Sequence, residues 1–133
     1  MQQHDQLREA EDIELAALAA LHGAADGPLR ARLGLALRQI GDGVASVAGA
    51  LPASAITVNR MMGLGRARAP QAADVVAAVD LYRAAGVARF FLQPDPSTAD
   101  DRMAPLCEAA GLRRARAWQN FARGRDEPAP ADA

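Results

Sequence analysis

The stretch that decides the fold is Ala55–Gln71, AITVNRMMGLGRARAPQ. Ile56, Val58, Met62 and Leu64 fall on one parity and Thr57, Asn59 and Met61 on the other, the alternation of a strand that separates two faces. Gly63 and Gly65 bend that strand at its end, Arg66–Ala69 form a loop, and Pro70 suits the first turn of a helix. Val75, Val76, Val79 and Tyr82 give this helix an apolar stripe, which Gly86 ends. Val87–Leu92 is then short and almost continuously apolar, as in a strand covered on both faces, and Pro94 and Pro96 terminate it. Strand, helix and strand in this order predict a right-handed parallel crossover.

Working outward from this unit, Leu33, Leu35 and Leu37 alternate with Gly34, Ala36 and Arg38, and Gly41-Asp42-Gly43 separates them from Val44–Val47. A short Gly/Asp connection between two extended runs predicts a hairpin. With the strand from Ala55 it makes a three-stranded meander. Gln2–His22 reads as a helix with Leu7, Leu15, Leu18 and Leu21 at helical spacing, stopped by Gly23, and with its two histidines, His4 and His22, in solvent. Downstream, Thr98–Ala110 is predicted as a helix with Met103, Leu106 and Ala110 inward, and Leu112–Ala122 as a last strand carrying Trp118 and Phe121. The expected organisation is a helical segment over residues 1–32, an α/β (α+β) core over 33–123 in which helices flank a mixed sheet, and a disordered Pro/Ala/Asp-rich tail over 124–133.

Composition narrows the function classes. The 133 residues are the size of one domain, and a formal net charge of −1 gives no global field for nucleic acid or a membrane surface. Cys107 is the one cysteine, which excludes an internal disulfide and a cysteine-built zinc site. No cluster of metal ligands is visible. No apolar run approaches the roughly 20 residues that cross a bilayer. The start, MQQHDQLREAEDIE, lacks the pattern of a signal peptide, so a cytoplasmic location is expected. All 15 basic residues are arginine, which leaves no lysine for a Schiff base or a P-loop. With 33 alanines and five aromatic residues, the core is thin for its length and gains from burial against a partner.

The element order and two local motifs resemble the GNAT superfamily of acyl-CoA-dependent N-acyltransferases. Arg60-Met61-Met62-Gly63-Leu64-Gly65 is similar to the family's R/Q-x-x-G-x-G/A phosphate loop, and Leu106-Cys107-Glu108-Ala109-Ala110-Gly111-Leu112 to its L-Y-E-x-x-G-F signature. NRMMGLG and YRAAGVARFFLQPDP resemble the N-terminal half of bacterial proteins built from two GNAT-like halves. The resemblance implies a GNAT-like fold over about residues 33–123 and acyl transfer from acetyl-CoA to an amine acceptor. Backbone N–H groups of Gly63, Leu64 and Gly65 would hold the pyrophosphate, Arg60 would buttress the loop, and Cys107 would be the candidate acid.

The chain departs from the family pattern at three places. Four residues and Pro70 separate the glycines from the next helix, Cys107 stands where the family has its tyrosine acid, and a long helix replaces the first strand. These departures favour a second expectation, a catalytically silent GNAT-like half that pairs with another copy as a homodimer or with an active half. Each motif also has a simpler reading. The glycines can serve only to bend a strand, and Cys107 can be a small buried hydrophobe. Arg60 shares parity with Ile56 and Val58 and needs a carboxylate, for which Asp95 and Asp42 are candidates. Arg113, Arg114, Arg116, Arg123 and Arg125, interleaved with Trp118 and Phe121, read as an edge strand guarded by charge in preference to a nucleic-acid platform.

Overall fold

In the computed structural model, which describes residues 2–52, 58–96, 98 and 100–115, the chain is an α+β domain with a four-stranded mixed sheet and four helices. The order is α1 (Gln2–Ala24), α2 (Gly27–Leu33), β1 (Leu35–Ile40), β2 (Gly43–Ala48), β3 (Arg60–Leu64), α3 (Ala72–Ala84), β4 (Phe91–Pro94) and α4 (Asp100–Ala109). The strands lie in the order β1-β2-β3-β4. The first three pair antiparallel, and β4 returns parallel to β3 after α3, so the expected meander and crossover are both present.

Local chemistry explains the elements. Gly41 has φ 59 and no described residue other than glycine has positive φ, so the β1–β2 hairpin carries its one left-handed residue at Gly41 and registers Ile40 against Gly43. A short helix, α2, precedes β1. Asp26 caps it by accepting from Leu29 N (2.8 Å), Pro28 occupies its first turn, and Gly34 (φ 65) closes it. At the end of α3, Gly86 donates to Arg83 O (3.1 Å) and Val87 to Tyr82 O (2.9 Å), a Schellman closure. That closure takes Val87 out of the following strand, which therefore starts at Phe91 and not at Val87 as its hydropathy suggests. The expected strand from Leu112 shows no regular structure over 112–115. Its remainder and the tail lie outside the described residues, as do Ala55–Thr57 at the start of the expected third strand.

The two faces of the sheet differ. One carries Ala45, Val47, Met61 and Leu92 against Val75, Ala78 and Tyr82 of α3 and Met103 of α4, and this is the hydrophobic core. Tyr82 is fully buried, stacks on Phe90 (centroids 4.2 Å apart) and donates its hydroxyl to Ser46 O at 2.8 Å. Burial pushes its pKa above the ordinary tyrosine range. Leu64 joins Met61 in this core, although simple alternation assigns it to the side of Met62. The cause is Gly63 (φ 83), where the β3–β4 register shifts between Met62 and Leu64 and reverses the parity. The other face holds Ser46 and Arg60, and α1 covers it. None of the described helices is long and apolar enough to cross a membrane.

Backbone pairing between β2 and β3 stops at Ser46↔Arg60, and a side chain extends it. Asn59, 3% exposed, accepts from Ala48 N (2.7 Å) and donates to Ala48 O (3.3 Å). Asn59→Ala leaves Ala48 N buried and unpaired, while Ala48 O keeps its bond from Leu51 N (3.2 Å). It is expected to lower the unfolding free energy by about 1–3 kcal/mol, read from urea denaturation.

Candidate functional site

The double-glycine bend lies where β3 leaves the sheet, next to the tip of the β1–β2 hairpin. Antiparallel pairing of β2 with β3 sets Val44 against Met62, so Asp42, two residues before Val44, reaches the loop that follows Gly63. Its carboxylate accepts three backbone hydrogen bonds from that loop: Gly65 N (3.0 Å), Ala67 N (2.7 Å) and Arg68 N (3.2 Å). Arg66 N, between them, donates to Gly63 O at 3.3 Å. Four successive amides, residues 65–68, are thus engaged inside the protein.

A carboxylate in this position behaves as a resident anion. Burial raises the carboxyl pKa of Asp42, but the hydrogen bonds from Gly65, Ala67 and Arg68 outweigh it, and the pKa falls below its usual 3.8. The loop is also closed from the other side. Leu64 O accepts from Asp95 N (3.0 Å) and from the Thr98 hydroxyl (3.3 Å), and a Cβ on Gly65 would lie 2.1 Å from Thr98 Oγ1. Gly65 (φ 95) is required both by its dihedral and by this approach. Helix α3 begins only at Ala72, with Asp74 in its first turn holding Arg68 at 3.2 Å, so the positive end of that helix meets a carboxylate of its own chain.

Arg60 faces α1, where its Nη1 lies 3.2 Å from Glu14 Oε2. Glu14 was not among the acids the sequence suggested, and Asp42, one of those acids, serves the loop amides. Around this pair α1 lays a polar seam on the sheet. Gln93 donates to Glu11 (2.5 Å), His22 Nε2 bonds Ser46 Oγ (2.8 Å), and Arg66 joins Asp12 while lying 3.8 Å from Asp95. Glu11 and His22 are 6% and 3% exposed. Burial raises the Glu11 pKa, with the neighbouring Glu14 and Asp95 adding to it against the Gln93 hydrogen bond, while burial and Arg30 lower that of His22. His22 is therefore a buried, neutral member of the seam, not the solvated residue its sequence context predicts.

Cys107 is half-buried on α4 and packs on the hydrophobic cluster. Burial and Glu108 push its thiol pKa up, so it stays protonated and apolar in character. The structure keeps Gly63, Leu64 and Gly65 together, turns Arg60 toward α1, and adds Asp42 and Thr98 to the loop. Among the described residues no group of three or more His, Cys, Asp or Glu side chains is placed to hold a metal ion. The spacing of Glu11, Glu14, Leu18 and His22, three or four residues apart, was the available signal that one face of the first helix is polar and buried.

Asp42 binds the loop best when ionised, so the stability it supplies is present above its unfolded pKa and is lost as pH falls through the lowered folded value. Asp42→Ala is expected to cost about 1–2 kcal/mol at neutral pH, allowing for the carboxylate's partial exposure. It is also expected to flatten the loss of stability below about pH 4 seen with the unaltered chain, both read from urea midpoints against pH. Compared with known families, with curated proteins and with solved structures, the chain finds no match in any of the three.

Proposed function

We propose that this chain is a catalytically silent GNAT-like domain that acts as an assembly module, pairing with a second copy or with a separate active half. The observation that carries this reading is the Asp42 carboxylate seated on the amides of Gly65, Ala67 and Arg68. Gly65 is one of the three residues, with Gly63 and Leu64, whose amides the acyl-CoA reading assigns to a pyrophosphate. Asp42 already takes the Gly65 amide, so a diphosphate seated at the bend would have to displace a covalently tethered anion there and meet its charge. The Thr98 contact over Gly65 supports the same conclusion, because it occupies the approach to the bend.

The candidate acid supports it too. In place of the tyrosine hydroxyl of the family signature stands a thiol that packs against the hydrophobic cluster. Among the described residues of this alanine-rich chain, Tyr82, Met61, Met62 and Leu64 are the largest fully buried side chains. A domain of that kind gains from covering further apolar surface with a partner.

Thermal unfolding with acetyl-CoA tests the reading. A ligand that binds the folded chain at a hundredfold excess over its Kd stabilises it by about 2.7 kcal/mol, several degrees in Tm for a domain of this size. The expected result is an unchanged Tm up to millimolar acetyl-CoA. A rise that grows with ligand concentration would overturn silence and restore the acetyltransferase reading.

A further inference from the structure

Helix α1 is seated on the sheet with little apolar help. Leu18 is the one buried hydrophobic side chain among its described residues, and the other contacts are polar: Glu11 and Glu14 in its first half, His22 in its last turn. At the His22 end the seating depends on a ring without charge. His22 is 3% exposed. Its Nε2 shares a hydrogen bond with Ser46 Oγ of β2 (2.8 Å), and its Nδ1 has no hydrogen-bond partner among the described residues. Whichever nitrogen carries the proton of the neutral ring, the imidazolium has an N–H at Nδ1 with no acceptor to meet it.

The charged groups on the surrounding elements do not compensate. Arg30 of α2, which donates to His22 O at 2.5 Å, is a cation that opposes a second positive charge. Arg60, across from Ser46 on β3, is paired with Glu14, and Asp26, before α2, is exposed and caps Leu29 N. Behind Ser46 the Tyr82 hydroxyl is neutral and donates to the Ser46 carbonyl. The other end of α1 responds in the opposite sense. Glu11 faces Gln93 and Asp95 at β4, Arg60 of β3, Arg66 with its partner Asp12, and Glu14 of its own helix. Its burial beside two carboxylates favours the protonated acid. Acid therefore weakens the seating of His22 and strengthens that of Glu11. We infer that the C-terminal half of α1 is an acid-released strap: protonation of His22 lifts Leu18–Ala24 from β2 and bares Ser46, while the Glu11 end stays seated. The strap goes beyond the proposed assembly role and does not depend on it.

Above about pH 6.5 the docked and the released ring are both neutral, and the strap stays closed. Below it the released ring binds a proton that the docked ring refuses. Each pH unit then raises the open population by up to about tenfold, until the docked ring is itself protonated. Hydrogen exchange read by mass spectrometry from about pH 7.5 to about pH 5, corrected for the intrinsic pH dependence of amide exchange, tests this. The unaltered chain is expected to lose protection over residues 18–24 by up to about tenfold per pH unit below about 6.5, while α3 keeps its own. His22→Gln, an amide that does not titrate, is expected to abolish the slope although His4 is still present, and Glu11→Gln to retain it. If His22→Gln fails to seat the helix, the ring titration of the unaltered chain, followed by NMR, decides. A midpoint below 6.5 is expected, and a ring that titrates at 6.5 with α1 still protected overturns the inference. So does protection over residues 18–24 that is flat with pH, an equal slope in His22→Gln, or an equal loss in α3, which signals unfolding of the whole domain.

Discussion

One carboxylate fixes the mouth of this sheet. Asp42 stands at the tip of the hairpin between β1 and β2, yet its partners belong to the loop between β3 and α3. It thereby ties the first hairpin to the start of the crossover, the two units from which the sheet is assembled. Three N–H donors directed at one ionised group are stronger than the same donors facing water, because charge assists each bond and the loop is already bent to present them. The bend depends on Gly63 and Gly65, both at positive φ, and on the short reach from Asp42 that antiparallel pairing of β2 and β3 provides. Glycine bend and carboxylate are best understood as a single closed unit.

The two helical layers are attached by different physics. Helices α3 and α4 bury an apolar cluster that excludes water, and the stacked Tyr82–Phe90 pair supplies much of its bulk. Helix α1 is attached by directional contacts: Glu11 to Gln93, Glu14 to Arg60 and His22 to Ser46. Buried ionic and polar contacts add little net stability after desolvation, but a broken one is expensive, so they punish a helix that sits in the wrong register more than they reward the right one. The polar seam specifies where α1 lies. It also explains why the helix has apolar residues to spare on its outer side.

Much of this architecture was legible in the sequence because it rests on short-range signals. The Gly41-Asp42-Gly43 hairpin, the proline- and glycine-bounded α3 and the apolar return strand each have a local cause, and each is present. The misplacements came from tertiary effects. Alternation failed at Leu64 because a bulge at Gly63 inserts one residue, which hydropathy alone does not register. The return strand starts late because Val87 is used to close α3. The site was legible as a glycine bend but not as an occupied one. Asp42 and Gly65 are distant in sequence, and only the strand pairing brings the carboxylate to the amides. Arg60 was correctly expected to need an acid, while Glu14 arrives from a helix whose placement no local pattern dictates.

Ser46 belongs to both layers at once. Its carbonyl receives the Tyr82 hydroxyl from α3, and its own hydroxyl meets the His22 ring from α1. Ser46 has no accessible surface, so both contacts are made inside the protein. One small residue thus joins both helical layers, its backbone carbonyl holding one and its side-chain hydroxyl the other.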